Sequence, residues 1–275
     1  MGASGNKVKE RDNSKSFISS LLLSFTKIKN FASEFQPNKN GEFTDLSKVF
    51  FNILRHQNDI KPYVDHFVTM LEIEKGNILN LESDTILEYM LETLHEEFIK
   101  NKNKEEKKMI QKEFYREEEL EEYIENYDSF ILQLFAGKKE KNFICQNCSK
   151  DDKKFALLLF EYFDSCLQKK ENDIRDLIKS NRIEFIECKY CQKQSKMKYN
   201  IIELPEILIL SFNKNKLSDC TVKYYINCYL NNEKYNLIGF ISQKDENNEE
   251  VDNYNIFYLD EGKWYIHKVE GMIKK

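Results

Sequence analysis

Apolar side chains fall into two regimes along the chain: helical spacing up to about residue 100, and short strand-like runs after about residue 130. Between Ser16 and Lys29, the positions Phe17, Ile18, Leu21, Leu22, Phe25 and Ile28 return every three or four residues. That period predicts a helix apolar enough to sit at the centre of a core. Asn13 or Ser14 offers an oxygen to cap its start, and residues 1–15, polar and rich in Gly, Ser and Lys, read as an irregular lead-in. Asp45–Arg55 and Ser83–Lys100 are predicted as amphipathic helices, the second with Ile86, Leu87, Met90, Leu91, Leu94 and Phe98 in one stripe. Asn101–Tyr127 is then almost solid charge, Lys first and Glu later. It reads as a solvated helix or flexible insertion, with a partner-binding arm as the alternative.

Beyond Phe130 the predicted elements are strands: Phe143–Cys145, Phe155–Phe163, Ile183–Cys188, Ile201–Leu210, Lys223–Leu230, Tyr235–Ser242, Asn253–Leu259 and Lys263–His267. Asp173–Lys179 reads as a short helix among them, and Gln243–Glu250 as a polar hairpin-type loop. Helices first and antiparallel strands second predict an α+β domain.

Composition narrows the partners. The chain has 275 residues, 41% apolar and 32% charged, with a net charge of −5. That length supports a real core in one large domain or two modest ones. Both signs of charge are mixed, so there is no electrostatic footprint for DNA or RNA, and no direct nucleic-acid partner is expected. No apolar run reaches the roughly 18 residues of a membrane span, and no secretory segment stands at the start. The expectation is an intracellular protein of cytoplasm and/or nucleus, without a membrane partner.

The cysteines carry the first chemistry. Of seven, four form two Cys-x2-Cys pairs, Cys145/Cys148 and Cys188/Cys191. A two-residue gap lets one tight turn aim both sulfurs at one ion, and four thiolates close a tetrahedron around structural Zn²⁺. Four free thiols or two disulfides are the alternatives. The odd total and the paired spacing point to a reducing compartment. Cys166, Cys220 and Cys228 read as buried small apolar residues.

Five segments, taken in order, resemble the catalytic domain of the ubiquitin-specific proteases (USPs). Leu94-His95-Glu96-Glu97 resembles that family's helix ending in Leu-His-Glu, and Leu134-Phe135-Ala136-Gly137 its lead into the first knuckle. Cys188-Lys-Tyr-Cys191 followed by Leu204-Pro205-Glu206-Ile207-Leu208-Ile209-Leu210 resembles its second knuckle and Leu-Pro strand. Tyr235–Ile241 and Gly262-Lys263-Trp264-Tyr265 resemble its two closing strands. The resemblance implies a papain-like thumb–palm–fingers fold in one domain over 1–275. In that division, 16–130 is a helical thumb with a charged insertion at 101–127, 131–200 the fingers with the zinc ribbon, and 201–275 the palm sheet. The family's last palm strand is absent or supplied elsewhere.

The resemblance also implies where chemistry belongs, and there the chain departs from the family. Such a hydrolase needs a thiolate at a helix N-terminus, an imidazole base with an orienting side chain, and an oxyanion donor. Ser16 stands where the nucleophilic cysteine belongs, Arg11 at the oxyanion-hole asparagine, Asn253 at the histidine and Lys268 at the Asp or Asn position. The reading is a catalytically inactive member with Zn²⁺ in Cys145, Cys148, Cys188 and Cys191, binding ubiquitin, a ubiquitin-like protein or subunits of an assembly. Two alternatives stay open: a scaffold that does not bind ubiquitin, in an RNA-processing or other complex, and an active cysteine deubiquitinase with an unrecognised site. For the latter, His267, close in sequence to the closing strands, is the least implausible base, and a surface or core role is the reading preferred for it.

Overall fold

The structure, a computed structural model, describes residues 3–35, 45–56, 59–99, 113–159, 161–163, 171–178, 182–212, 221–230, 232–243 and 254–269. Its helices are α1 (Ala3–Thr26), α2 (Lys29–Glu34), α3 (Asp45–Arg55), α4 (Lys61–Lys75), α5 (Ser83–Phe98), α6 (Glu117–Asn126), α7 (Phe130–Phe135) and α8 (Ile174–Leu177), with a 3₁₀ turn at Ile78–Asn80. The first seven strands are β1 (Glu113–Phe114), β2 (Gly137–Ile144), β3 (Asp151–Leu158), β4 (Glu161–Phe163), β5 (Glu171–Asp173), β6 (Arg182–Glu187) and β7 (Gln194–Glu203). The remaining seven are β8 (Leu210–Phe212), β9 (Thr221–Lys223), β10 (Asn227–Leu230), β11 (Glu233–Asn236), β12 (Gly239–Gln243), β13 (Tyr254–Asp260) and β14 (Lys263–Val269). The chain forms two compact units, Met1–Glu97 with Leu237–Lys275, and Phe98–Asn236.

In the first unit everything gathers on α1. The helix begins at Ala3, so the described part of the expected lead-in is helical and neither Asn13 nor Ser14 caps it. The physical reason is cooperative: the segment has no proline, and adding good formers such as Lys, Glu and Arg to an anchored helix needs no new nucleus. Ser14 instead donates to the Leu79 carbonyl at 2.8 Å, tying α1 to the 3₁₀ turn. Ile18, Leu21, Leu22, Leu23 and Phe25 are all buried. Three serines of this helix have their hydroxyls satisfied within it: Ser19, Ser20 and Ser24 each donate to the carbonyl four residues back. Phe31, Phe35, Phe50 and Phe67 continue the core, with ring centroids 4.4 Å apart for Phe35 and Phe50 and 6.0 Å for Phe50 and Phe67.

The sequence reading omits α4, although Val64, Phe67, Val68 and Leu71 repeat with helical period and are buried. Gly76 ends it with φ +81° and donates its N–H to Glu72, a conformation glycine adopts without a Cβ clash. α3 and α5 form where expected. On α5, His95 is fully buried, and burial pushes its pKa down to about 4 from the ordinary 6.5. The unfolded chain therefore takes up that proton first, and stability falls as pH drops from 6.5 towards 4. Urea unfolding should show the wild type losing about 2 kcal/mol more than His95→Gln between pH 7 and 5.

β12, β13 and β14 form an antiparallel sheet with β13 central. α1 packs on one face: the Phe17 ring meets Tyr254 at 5.7 Å, and Lys27 Nζ lies 4.8 Å from the Tyr258 ring centroid. Tyr254, Ile256 and Tyr258 therefore point to the helix, and Phe257 and Leu259 point away.

The second unit is built on a five-stranded antiparallel sheet, order β1-β3-β2-β7-β6. The described part of the charged stretch 101–127 is docked on it, which a solvated helix would not be. Glu113 on β1 bridges Lys141 and Lys154 at 2.7 and 2.8 Å, and α6 buries Leu120 and Tyr123. Two apolar residues three apart among glutamates suffice to seat one short helix. Residues 101–112 lie outside the described residues.

The apolar run Ile201–Leu210 is not one strand. β7 ends at Glu203, Pro205 has no N–H to continue the ladder, and pairing resumes only at β8, which lies parallel to β4. The intervening loop is held by the other family-like segments: Ile207 N–H donates to the Leu134 carbonyl at 2.8 Å, and Tyr235 OH donates to the Pro205 carbonyl. Gly137 lies against the Glu203 carbonyl and 2.9 Å, from its missing Cβ, to Pro205 Cδ. Gly137→Ala must displace backbone and should cost about 2–3 kcal/mol, read as a lowered urea midpoint with an unchanged slope.

The predicted strand Tyr235–Ser242 is likewise split, into β11 and β12. Cys228 is half-buried beside a small core of Phe163, Ile174, Ile178 and Leu230, whereas Cys166 and Cys220 lie outside the described residues.

Candidate metal centre and the expected catalytic positions

The two knuckles stand at the same end of the five-stranded sheet because each follows a strand in register. Cys145 follows β2, Cys188 follows β6, and both strands pair with β7. The knuckles repeat one backbone design. Cys145 N–H donates to the Lys150 carbonyl at 2.8 Å, and Cys188 N–H to the Lys193 carbonyl at 2.9 Å. The residue after each second cysteine, Ser149 and Gln192, has φ of 54° and 57°. The matching spacing Cys-x2-Cys-x-Lys was the sequence signal for this shared turn. Phe143, Ile186 and Met197 back the sulfurs.

All four thiols lie within 4.8 Å of one another, and Cys145 and Cys188 are buried. Cys145 Sγ is 3.6 Å from Cys191 Sγ, and Cys148 Sγ is 3.7 Å from Cys188 Sγ. A tetrahedron of thiolates at ~2.3 Å from Zn²⁺ has edges of about 3.8 Å. The donor set thus fits a tetrahedral, thiophilic ion, and the group can hold a metal. None of the four is in a disulfide. Ser195, missed by the sequence reading, lies buried beside the site and pulls the Cys145 thiol down to about 6. Burial pushes the Cys148 thiol up to about 12. Four crowded thiols resist joint ionisation unless a cation compensates them.

The positions at which the resemblance leads one to expect catalytic groups look different. Ser16 lies on α1 thirteen residues past Ala3, in the interior of a 24-residue helix. A macrodipole acts within the first turn, so no N-terminal field reaches this position. Ser16 is 6% exposed, and its Oγ has no hydrogen-bond partner among the described residues. Arg11 lies on the same helix, where backbone N–H groups serve the i−4 ladder and are not free to form an oxyanion hole. Lys268 pairs with Asn255 on β14, a register position on the sheet face turned away from α1. His267 pairs with Ile256, a register position on the α1 side. Asn253 lies outside the described residues. Among the described residues, no helix is long and apolar enough to cross a membrane.

Neither a protein-family model nor a curated protein matches the sequence. Solved structures do share the fold. The SAGA DUB module Ubp8/Sgf11/Sus1/Sgf73, with a Ubp8 variant, matches with TM-score 0.60 at 15% identity, covering 96% of this chain and 64% of that one. The same module bound to monoubiquitin gives 0.55 at 16% identity, covering 96% and 65%. The yeast module with an Sgf73 mutant gives 0.51 at 14% identity, covering 94% and 66%. The chain thus spans just under two thirds of the length of these structures, and the mixed helix-and-sheet fold is that of a ubiquitin-specific protease.

Proposed function

We propose that this chain is a USP-fold protein without hydrolytic activity, which keeps the fold as a binding surface and holds Zn²⁺ in Cys145, Cys148, Cys188 and Cys191. One observation carries the first half of this reading: Ser16, at the place of the nucleophilic cysteine, is a hydroxyl in the middle of α1. A serine depends on its base even more than a cysteine does, and Asn253 stands where that base would be. Losing nucleophile and base together typically costs about a factor of 10⁶ in turnover.

The thiolate donor set and its tetrahedral spacing support zinc. When bound, zinc here supplies cross-linking of two strand ends, not catalysis: with four protein ligands it has no open position for substrate. Free thiols in every described cysteine fit a reducing compartment of the cell.

The partner in this reading is ubiquitin, a ubiquitin-like protein or the subunits of an assembly. Matched structures include modules bound to monoubiquitin and modules built with Sgf11, Sus1 and Sgf73. Titrating isotope-labelled protein with ubiquitin separates the partners. Saturable amide shifts support ubiquitin binding, and unshifted spectra at about millimolar ubiquitin leave the assembly subunits.

A further inference from the structure

One face of the five-stranded sheet in the second unit carries three exposed apolar residues, Ile144 on β2 and Ile183 and Phe185 on β6, with Lys196 and Lys198 on β7 between them. Ile144 pairs with Lys196, which pairs with Phe185, and Asn142 pairs with Lys198, which pairs with Ile183. Paired residues share a face, so Ile144, Ile183, Phe185, Lys196 and Lys198 all stand on one side. Their exposure is high for apolar groups, 40% for Ile144, 51% for Ile183 and 63% for Phe185. Such a cluster normally marks an interaction site. Lys196 and Lys198 have no ion-pair partner among the described residues.

The chain itself shows what this face accepts. Phe114 pairs with Phe155, and Glu140 pairs with Phe155 from the other side, which places Phe114 and, two residues from Glu140, Lys138 on the same face. There α6 is seated: its Tyr123 ring lies 5.4 Å from Phe114, and its Glu121 meets Lys138 at 3.0 Å. α6 is acidic, with Glu117, Glu118, Glu119, Glu121, Glu122 and Glu125, and it contributes only Leu120 and Tyr123 to the buried seam. An acidic amphipathic helix on an apolar and lysine-bearing sheet is thus already one interaction of this face. From β2 to β6 there are two inter-strand steps, about 10 Å, which is the width of one further helix.

We propose that the surface formed by Ile144, Ile183, Phe185, Lys196 and Lys198 docks an acidic amphipathic helix of a partner protein, beside α6. Ile183 and Phe185 on β6, with Ile144 on β2, take the helix's apolar stripe, and the two long lysine side chains on β7 between them reach its carboxylates. This goes beyond the loss of hydrolysis and stands or falls separately from it.

The test uses the full chain and two stapled helical peptides with identical apolar positions, one with Glu and one with Lys on the polar face. The Glu peptide should shift amides of β2, β6 and β7. Lys196→Glu with Lys198→Glu should weaken it about tenfold and improve the Lys peptide, and Phe185→Asp should abolish binding. Ile183→Asp gives an independent disruption should Phe185→Asp fail to fold. The inference is overturned if the Lys peptide binds the wild type as tightly, if the shifts map elsewhere, or if ubiquitin and not the acidic peptide occupies these amides.

Discussion

Chelating the metal, or replacing Cys188 by Ala, should open the knuckle end of the five-stranded sheet while the helical unit around α1 keeps its structure. In zinc-finger peptides structural Zn²⁺ contributes about 10–16 kcal/mol of apparent binding energy, comparable to the whole stability of a typical domain, about 5–15 kcal/mol. Here the ion would join two strand ends whose local core is only Phe143, Cys145 and Cys188, with partly buried neighbours. Without it, four thiols remain crowded with no compensating charge. Hydrogen exchange should therefore accelerate by at least about a thousandfold at residues 143–150 and 186–197, the equivalent of ~4 kcal/mol of local stability. Protection on α5 should persist. Unchanged exchange after chelation, or metal analysis giving under half an equivalent, refutes the metal centre.

Returning a cysteine to position 16 should not return activity. In an active thiol hydrolase the nucleophile gains from a helix N-terminus and a neighbouring base. Position 16 lies in the interior of α1, and in the proposed reading Asn253 takes the place of the histidine. Ser16→Cys should remain unlabelled by ubiquitin carrying a C-terminal electrophile, leaving intact the gap of about 10⁶ expected for losing nucleophile and base. Ser16→Ala gives a second reading from the same site. A buried hydroxyl without a hydrogen-bond partner among the described residues is a cost to the fold, so its removal should raise stability by about 1 kcal/mol. Rapid labelling of the cysteine variant, or loss of stability in the alanine variant, contradicts this description of the site.

Much of this molecule was legible in the sequence wherever periodicity or spacing was strong. The α3 bounds, the α5 stripe and the two knuckles follow from side-chain period and from the Cys-x2-Cys gaps. What escaped has identifiable physical reasons. Residues 3–15 look like a lead-in because they are polar, yet they extend α1 by propagation from its anchored half. The run Ile201–Leu210 is mostly apolar, but Pro205 cannot donate to a ladder and the chain leaves the sheet there. A helix within 101–127 was among the expectations, but the docking of α6 was hidden because two buried residues, Leu120 and Tyr123, are a faint signal among glutamates. Ser195 carried no signal beyond alternation on β7, since its place beside Cys145 arises only when β2 and β7 pair. At the expected catalytic positions the sequence offers residue identities alone, and only the fold puts Ser16 inside a helix.

The central claim is that the fold has been kept without its chemistry, and turnover of ubiquitin bearing a C-terminal fluorogenic amide tests it most directly. The metal-loaded chain should release fluorophore no faster than buffer, before and after addition of a reducing agent. Release at rates approaching the roughly 1 s⁻¹ lower range of ordinary enzymes, abolished by His267→Ala, would contradict the claim and identify an active site elsewhere in the chain.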